Sequence, residues 1–181
     1  MFGNKDIVER FAPHASLAAD HLASAAGGFE PQRKFQYFMY LNGVPGAENI
    51  RLAMLASFLP TEENEVITLQ YGNEEVHVAG RLKYSEGSIT VRDMVDKDIY
   101  RLLRDWRRQV DDVVSGNIGF AAAYKKTARI VLVAPDNTVA RQVQLTGLWP
   151  TKIEGGSLSY AENDVVLITM TLRYDKALPT A

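Results

Sequence analysis

Apolar positions recur at helical spacing in two stretches of the chain and alternate with polar ones through much of the remainder. Between residues 5 and 26, Ile7, Phe11, Ala15, Ala18 and Leu22 are separated by four, four, three and four positions, which sets them on one face of a helix. That face is narrow and rich in alanine; Pro13 interrupts the run or starts a second helix, and Gly27–Gly28 ends it. Residues 1–34 are therefore expected to form a helical arm that docks elsewhere, for example on a neighbouring subunit. The second stretch predicts a helix over 96–114. Ile99, Leu102, Leu103, Trp106, Val110 and Val113 form one apolar stripe, with Arg101, Arg104, Arg107, Arg108 and Asp111 off it. Asp96 or Asp98 can cap its start, and Gly116 ends it.

The rest of residues 35–175 reads as strand. KFQYFMYL stops at the turn pair Asn42–Gly43, and NIRLAMLASFL follows as far as Pro60. After an acidic loop, TEENE, the strand VITLQY turns at Gly72–Asn73 into EEVHVAG, a hairpin pattern. GSITVRDM follows, and beyond the helix come ARIVLVA, a turn at PDN, VARQVQL and the alternating DVVLITMTLRY. About seven strands with short hairpins predict a mainly β fold of α+β type. Its expected form is an antiparallel sandwich or small barrel, with the long amphipathic helix over one opening. No internal repeat or linker divides the 181 residues, so a single domain is expected.

Composition narrows the function classes. Twenty Lys and Arg against 22 Asp and Glu give a net charge of -2, without the basic excess that phosphate binding demands. Cys is absent, which removes disulfides, thiolate metal sites and a Cys nucleophile. The N-terminus mixes Lys5, Asp6, Glu9 and Arg10 with apolar residues, unlike a secretory signal. No run approaches the roughly 18 apolar residues of a membrane span, and a soluble protein is expected.

Candidate chemistry is sparse. His14 and His21 are seven apart, too far for both to hold one ion, and His77 alternates with valines on a strand. GGSLS at 155–159 lacks the Gly-x-Ser-x-Gly pattern, and no phosphate-cradling glycine motif occurs. Glu62, Glu63, Glu65, Glu74 and Glu75 bracket one strand; a paired-carboxylate site is conceivable there, but a solvated acidic hairpin is the expectation. The arginine face of the helix has no interleaved aromatic platform for nucleic acid. LTGLWPTKIEGG, 145–156, reads as a structural corner. Val143 and Leu145 run in, Trp149 fills the core edge, Pro150 stops the ladder, and Gly155–Gly156 turns the chain toward the last strand.

Three segments in order carry a resemblance: ASFLPTEENEVITLQY, then VHVAGRLKYSEGSITVRDMVDKDIYRLLRDW, then YKKTARIVLV with ARQVQLTGLWPTKI and ENDVVLITMTLRYD. Over about residues 35–175 the chain resembles the tail tube proteins of contractile-tailed bacteriophages, Gly147–Thr151 being the most distinctive piece. The resemblance implies a structural virion protein, with no catalytic residues, metal or cofactor, assembled in the host cytoplasm. It implies hexameric rings stacked into a hollow tube inside a contractile sheath. The implied partners are further copies of the chain, the tail sheath protein, the baseplate hub, the tail terminator and the tape measure protein. Double-stranded DNA would pass without specific binding. On this basis Ala47–Leu59 and Val66–Ala79 are expected to line the channel. Glu62, Glu63, Glu65, Glu74 and Glu75 would supply an acidic wall that repels DNA, and Arg101, Arg104, Arg107 and Arg108 would contact a neighbouring ring or the sheath. Other readings are the inner tube or a baseplate ring of a related injection apparatus, or a monomeric β-barrel binding a small molecule beside Trp149.

Overall fold

The computed structural model describes residues 31–180, and residues 37–180 belong to one compact unit. The arm predicted over residues 5–26, with His14 and His21, lies outside the described residues. The described residues form nine strands and three helices in the order β1 (Tyr37–Asn42), α1 (Ala47–Ala53), β2 (Met54–Ala56), β3 (Glu62–Tyr71), β4 (Glu74–Tyr84), β5 (Gly87–Arg92), α2 (Ile99–Arg108), α3 (Ala121–Tyr124), β6 (Lys126–Val133), β7 (Val139–Glu154), β8 (Leu167–Arg173) and β9 (Lys176–Thr180).

The 16-residue β7 organises the sheet. Its first half pairs with β6 on one side and β9 on the other, while its second half pairs with β8, which continues to β5 and β2. Two antiparallel layers, β1-β6-β7-β9 and β7-β8-β5-β2, thus share one strand that crosses between them, a known way of making the corner of a β-sandwich. Among the described residues the barrel does not close: β1 and β2 end the strand path without a ladder between them. Side chains bridge that gap, with the Tyr37 hydroxyl donating to the Leu55 carbonyl at 3.4 Å and the Ser57 hydroxyl to Met39 Sδ at 3.0 Å.

Alternation fills the core. Ile168, Met170 and Leu172 of β8, Ile89 and Val91 of β5, Ala128 and Ile130 of β6, and Met39 and Leu41 of β1 are all buried in one cluster. The α2 stripe joins it through Ile99, Leu103 and Trp106. The Asp98 carboxylate accepts from the Arg101 amide at 3.1 Å and caps that helix. The helix stops at Arg108, six residues short of the expected end, and Val113 lies in solvent rather than on the stripe. The Asp112 side chain there accepts from Val114 N–H at 3.2 Å and from Ser115 Oγ at 2.7 Å, a local turn that competes with the helical ladder.

Two other expectations are corrected. NIRLAMLASFL is not a strand: residues 47–53 are helical, with Ile50 and Ala53 buried, and only Met54–Ala56 pair with β5. A helix bound into the core at Ala47–Ala53 cannot be a channel-lining strand. TEENE is not a free loop either, because Glu62 begins β3.

The Trp-Pro corner is also built differently. Val143 and Leu145 point inward as expected, but Gly147 sits at φ 68°, and the register with β6 shifts there by one residue. A bulge of this kind sends every later side chain to the opposite face. Leu148 and Pro150 therefore turn into the core, and Trp149 turns out to a half-buried position, its ring edge-on to Tyr124 at 5.8 Å. Pro150 does not stop the ladder; it lies opposite Leu172 and β7 continues to Glu154. A second shift between Pro150 and Lys152 restores the original parity, so Ile153 packs on the core again. Gly156, two residues beyond the end of β7, sits at φ 71°, where a Cβ would crowd the Leu167 carbonyl. At Gly147 a Cβ would overlap the Asp175 carboxylate, which Lys125 Nζ holds at 2.7 Å. Gly147→Ala is expected to lower stability by about 1–2 kcal/mol, measured as a fall in melting temperature; an unchanged melt would show that the bulge tolerates a side chain.

Candidate assembly surface

β3 and β4 form a two-stranded ribbon joined by Gly72–Asn73, and among the described residues no other strand pairs with it. Every residue of β3 is exposed. A lone hairpin is marginal in water, so the base that anchors this one matters. Tyr174 supplies it: its ring stacks on Phe58 at 5.9 Å and tilts against Tyr84 at 5.5 Å, and its hydroxyl accepts from the Thr61 amide at 3.1 Å. Ser85 N–H closes the base by donating to the Thr61 carbonyl at 3.1 Å. Both legs are thus clamped to the sandwich by one aromatic cluster. Burial raises the Tyr174 phenol above its ordinary pKa, against the Thr61 hydrogen bond that lowers it.

The register gives the ribbon two unlike faces. Ile67 lies opposite Val78, Leu69 opposite Val76 and Tyr71 opposite Glu74, so one face carries five large apolar side chains toward the tip. Val66 lies opposite Ala79, Thr68 opposite His77 and Gln70 opposite Glu75, so the other face is mainly polar; Thr68 Oγ1 and His77 Nδ1 are 3.2 Å apart. A bulge at Gly80–Arg81 takes up one extra residue of β4 opposite Glu65.

This pleat divides the glutamates that the sequence groups together. Glu63, Glu65 and Glu74 belong to the apolar face; Glu62 and Glu75 belong to the polar one. Glu65 is also ion-paired with Lys83. The arginines are divided as well, Arg107 being half-buried and the other three exposed. Arg101, Arg104 and Arg108 edge an open hollow with Asp98, Tyr100 and Asp105 on the exposed side of α2. Arg101 approaches Asp105 at 3.9 Å and Arg107 approaches Asp111 at 3.9 Å, whereas Arg104 and Arg108 have no carboxylate within 4.0 Å among the described residues. Neither this hollow nor the one formed by the 156–167 loop includes Trp149.

The Tyr174 clamp and the bulge at Gly147 escape the sequence patterns, because both depend on strand neighbours far apart in the chain. The apolar face of the ribbon had a signal in the alternation of Ile67, Leu69 and Tyr71 across a two-residue turn.

A ribbon held out from a sandwich with one exposed apolar face is the kind of surface that a structural protein offers to a neighbour. The profile of the T4-like virus tail tube protein gp19 family matches residues 58–177, and the chain belongs to that family. It is thus a tail tube protein, a structural component of the virion and not an enzyme. It is 27% identical to tail tube protein gp19 of Enterobacteria phage T4 over 134 residues, 71% of this chain and 80% of that one. Its fold is also that of chains in two solved assemblies. One is the six-fold symmetrised baseplate of the anti-feeding prophage, with TM-score 0.63 and 16% identity over 83% of this chain and 96% of that one. The other is the sheath/tube terminator of the extracellular contractile injection system PVC in its extended state, with TM-score 0.64 and 15% identity over 84% and 98%.

Proposed function

We propose that this chain closes into hexameric rings that stack as the inner tube of a contractile tail, and that DNA leaves the capsid along the bore. The observation that carries the reading is the clamped, two-faced β3–β4 ribbon, an open edge in a family of tube subunits. Head-to-tail pairing of unlike patches closes into a ring when the rotation allows it. The six-fold symmetry of the fold relative from the anti-feeding prophage supports six copies. The PVC relative, from a sheath/tube terminator, supports a sheath around the tube and a terminator at its end. A baseplate hub at the other end and a tape measure protein in the bore complete the expected partners.

Within the ring the polar face of the ribbon turns to the bore. Thr68, Gln70 and His77 give a polar wetted wall, and Glu62 and Glu75 are the carboxylates it presents to a passing duplex. Such a wall does not gather phosphates, whereas lysines would add a salt-dependent hold on the DNA. E62K/E75K is therefore expected to leave tubes intact and to cut genome delivery about tenfold or more. Delivery at the wild-type rate would reject this assignment of the bore. The ring reading itself is tested by negative-stain electron microscopy of the purified protein. Hollow rings or tubes are expected; a monomer that persists at high concentration would overturn it.

A further inference from the structure

The ribbon leaves the sandwich at one short crossing, and a single phenol stands in it. Tyr84 ends the ribbon ladder opposite Glu62, and Ser85 and Thr61 continue that register by one position. Residues that face each other in such a hydrogen-bonded place of an antiparallel pair exchange two backbone bonds. Here Ser85 N–H donates to the Thr61 carbonyl at 3.1 Å, but the Thr61 N–H is given to the Tyr174 hydroxyl, also at 3.1 Å. Pro60 before it has no N–H, so the Thr61 amide is the donor that ties the β3 leg at its start. Tyr174 itself is buried in the core, one residue beyond β8. Phe58 on the way into β3 and Tyr84 at the end of β4 both lie against its ring. Phe58 is seated over Gly87, where a Cβ would overlap it, so β5 leaves room for the stack. Core, β3 leg and β4 leg thus meet on one side chain.

Among the described residues no further strand braces the ribbon, so its direction is set at this crossing. The exposed pair of Arg173 with Glu86, at 3.5 Å, adds little to it. The ten residues of β3 extend roughly 33 Å at the usual strand rise, so a tilt of about 10° at the base moves the tip by about 5–6 Å. A ring repeats one contact in every copy, and an error in that angle repeats with it until closure fails. We propose that Tyr174 is the positioning residue of the assembly: its hydroxyl fixes the angle at which the ribbon leaves the sandwich, and a second copy of the chain closes on the ribbon only at that angle. This gives the buried phenol a role beyond filling the core, and it rests on the ring reading above.

Tyr174→Phe removes the hydroxyl and keeps the ring with its contacts to Phe58 and Tyr84. The amides of Thr61 and of the ribbon are expected to exchange faster with solvent, those of β5 and β8 as slowly as in the wild type, and assembly to weaken about tenfold or more. Faster exchange throughout the sandwich would make Tyr174 a plain core residue and overturn the proposal. Rings of wild-type stability and copy number from Y174F would overturn it too and leave the ring reading standing. The absence of cysteine allows a rescue. Glu86 and Arg173 are exposed and continue the register of Gly87 with Leu172 by one position, so cysteines there lie within disulfide reach. E86C/R173C then joins the foot of the β4 leg to the end of β8. In the Y174F background, oxidation is expected to restore assembly and reduction to abolish it again. A disulfide that forms without restoring assembly would show that the ribbon's angle is not what Tyr174 supplies, and would overturn the proposal. A wild-type protein that forms no rings would remove the ring reading and this one with it.

Discussion

Trp106→Ala is expected to lower the free energy of unfolding by about 3–5 kcal/mol, the usual cost of removing a large aromatic ring from a packed interior. Trp106 is fully buried among Ile99, Leu103 and the strand layers, and its indole N–H is committed to the Tyr124 carbonyl. Truncation leaves a cavity and frees that carbonyl, loosening the segment that returns the chain to β6. Thermal or denaturant unfolding measures the loss directly. Trp149→Ala is the control. Its ring is half-buried and rests edge-on against Tyr124, so its loss should cost only about 1–2 kcal/mol. Equal costs at the two positions would mean that the bulge at Gly147 does not turn Trp149 out of the core.

The second large effect concerns assembly. L69D/V76D places two carboxylates on the apolar face of the ribbon at directly opposed positions. In the isolated subunit both positions lie outside the core, so the cost stays in the ribbon, about 1–2 kcal/mol for two like charges set directly opposite on a strand pair. In the ring the substitution deletes two buried aliphatic side chains and buries charge in their place, a penalty on the order of 4 kcal/mol or more, which weakens the contact about a thousandfold. Sedimentation should show a folded monomer where the wild type forms rings, and the sandwich should still unfold cooperatively. Normal tubes from this variant would exclude the apolar face as a contact. The paired substitution T68E/Q70E on the opposite face, which the proposal leaves lining the bore, should assemble.

The residues of α2 and β8 announced themselves because a single period runs through each of them. The stripe Ile99, Leu103, Trp106 and the alternation Ile168, Met170, Leu172 survive intact in the structure. α1 stands where a strand is expected because NIRLAML is dense in apolar residues and short. Its alanines, leucine, glutamate and arginine favour helix and, apart from Ile50, it has no β-branched side chain. β9 lies beyond Asp175 and is held as a strand by its pairing with β7, from Gln142↔Thr180 to Thr146↔Lys176, a partner that no local pattern reveals.

The same division holds at the assembly surface. The chain alone determined a mainly β domain with one amphipathic helix, a hairpin turning at Gly72–Asn73, and glutamates and arginines concentrated on different elements. Local periodicity, turn chemistry and charge are properties of neighbouring residues, and they can be read in order along the chain. Which face a side chain occupies depends on register, and a single inserted residue reverses it. Only the tertiary structure decided that Gly147 slips β7 by one and exchanges Trp149 for Leu148 in the core. Only the tertiary structure set two of the five glutamates apart from the other three, through the pairing of β3 with β4. The clamp of Tyr174 on Phe58 and Tyr84 belongs to the same category, because it joins residues separated by about a hundred positions and exists only once the sandwich has closed around them.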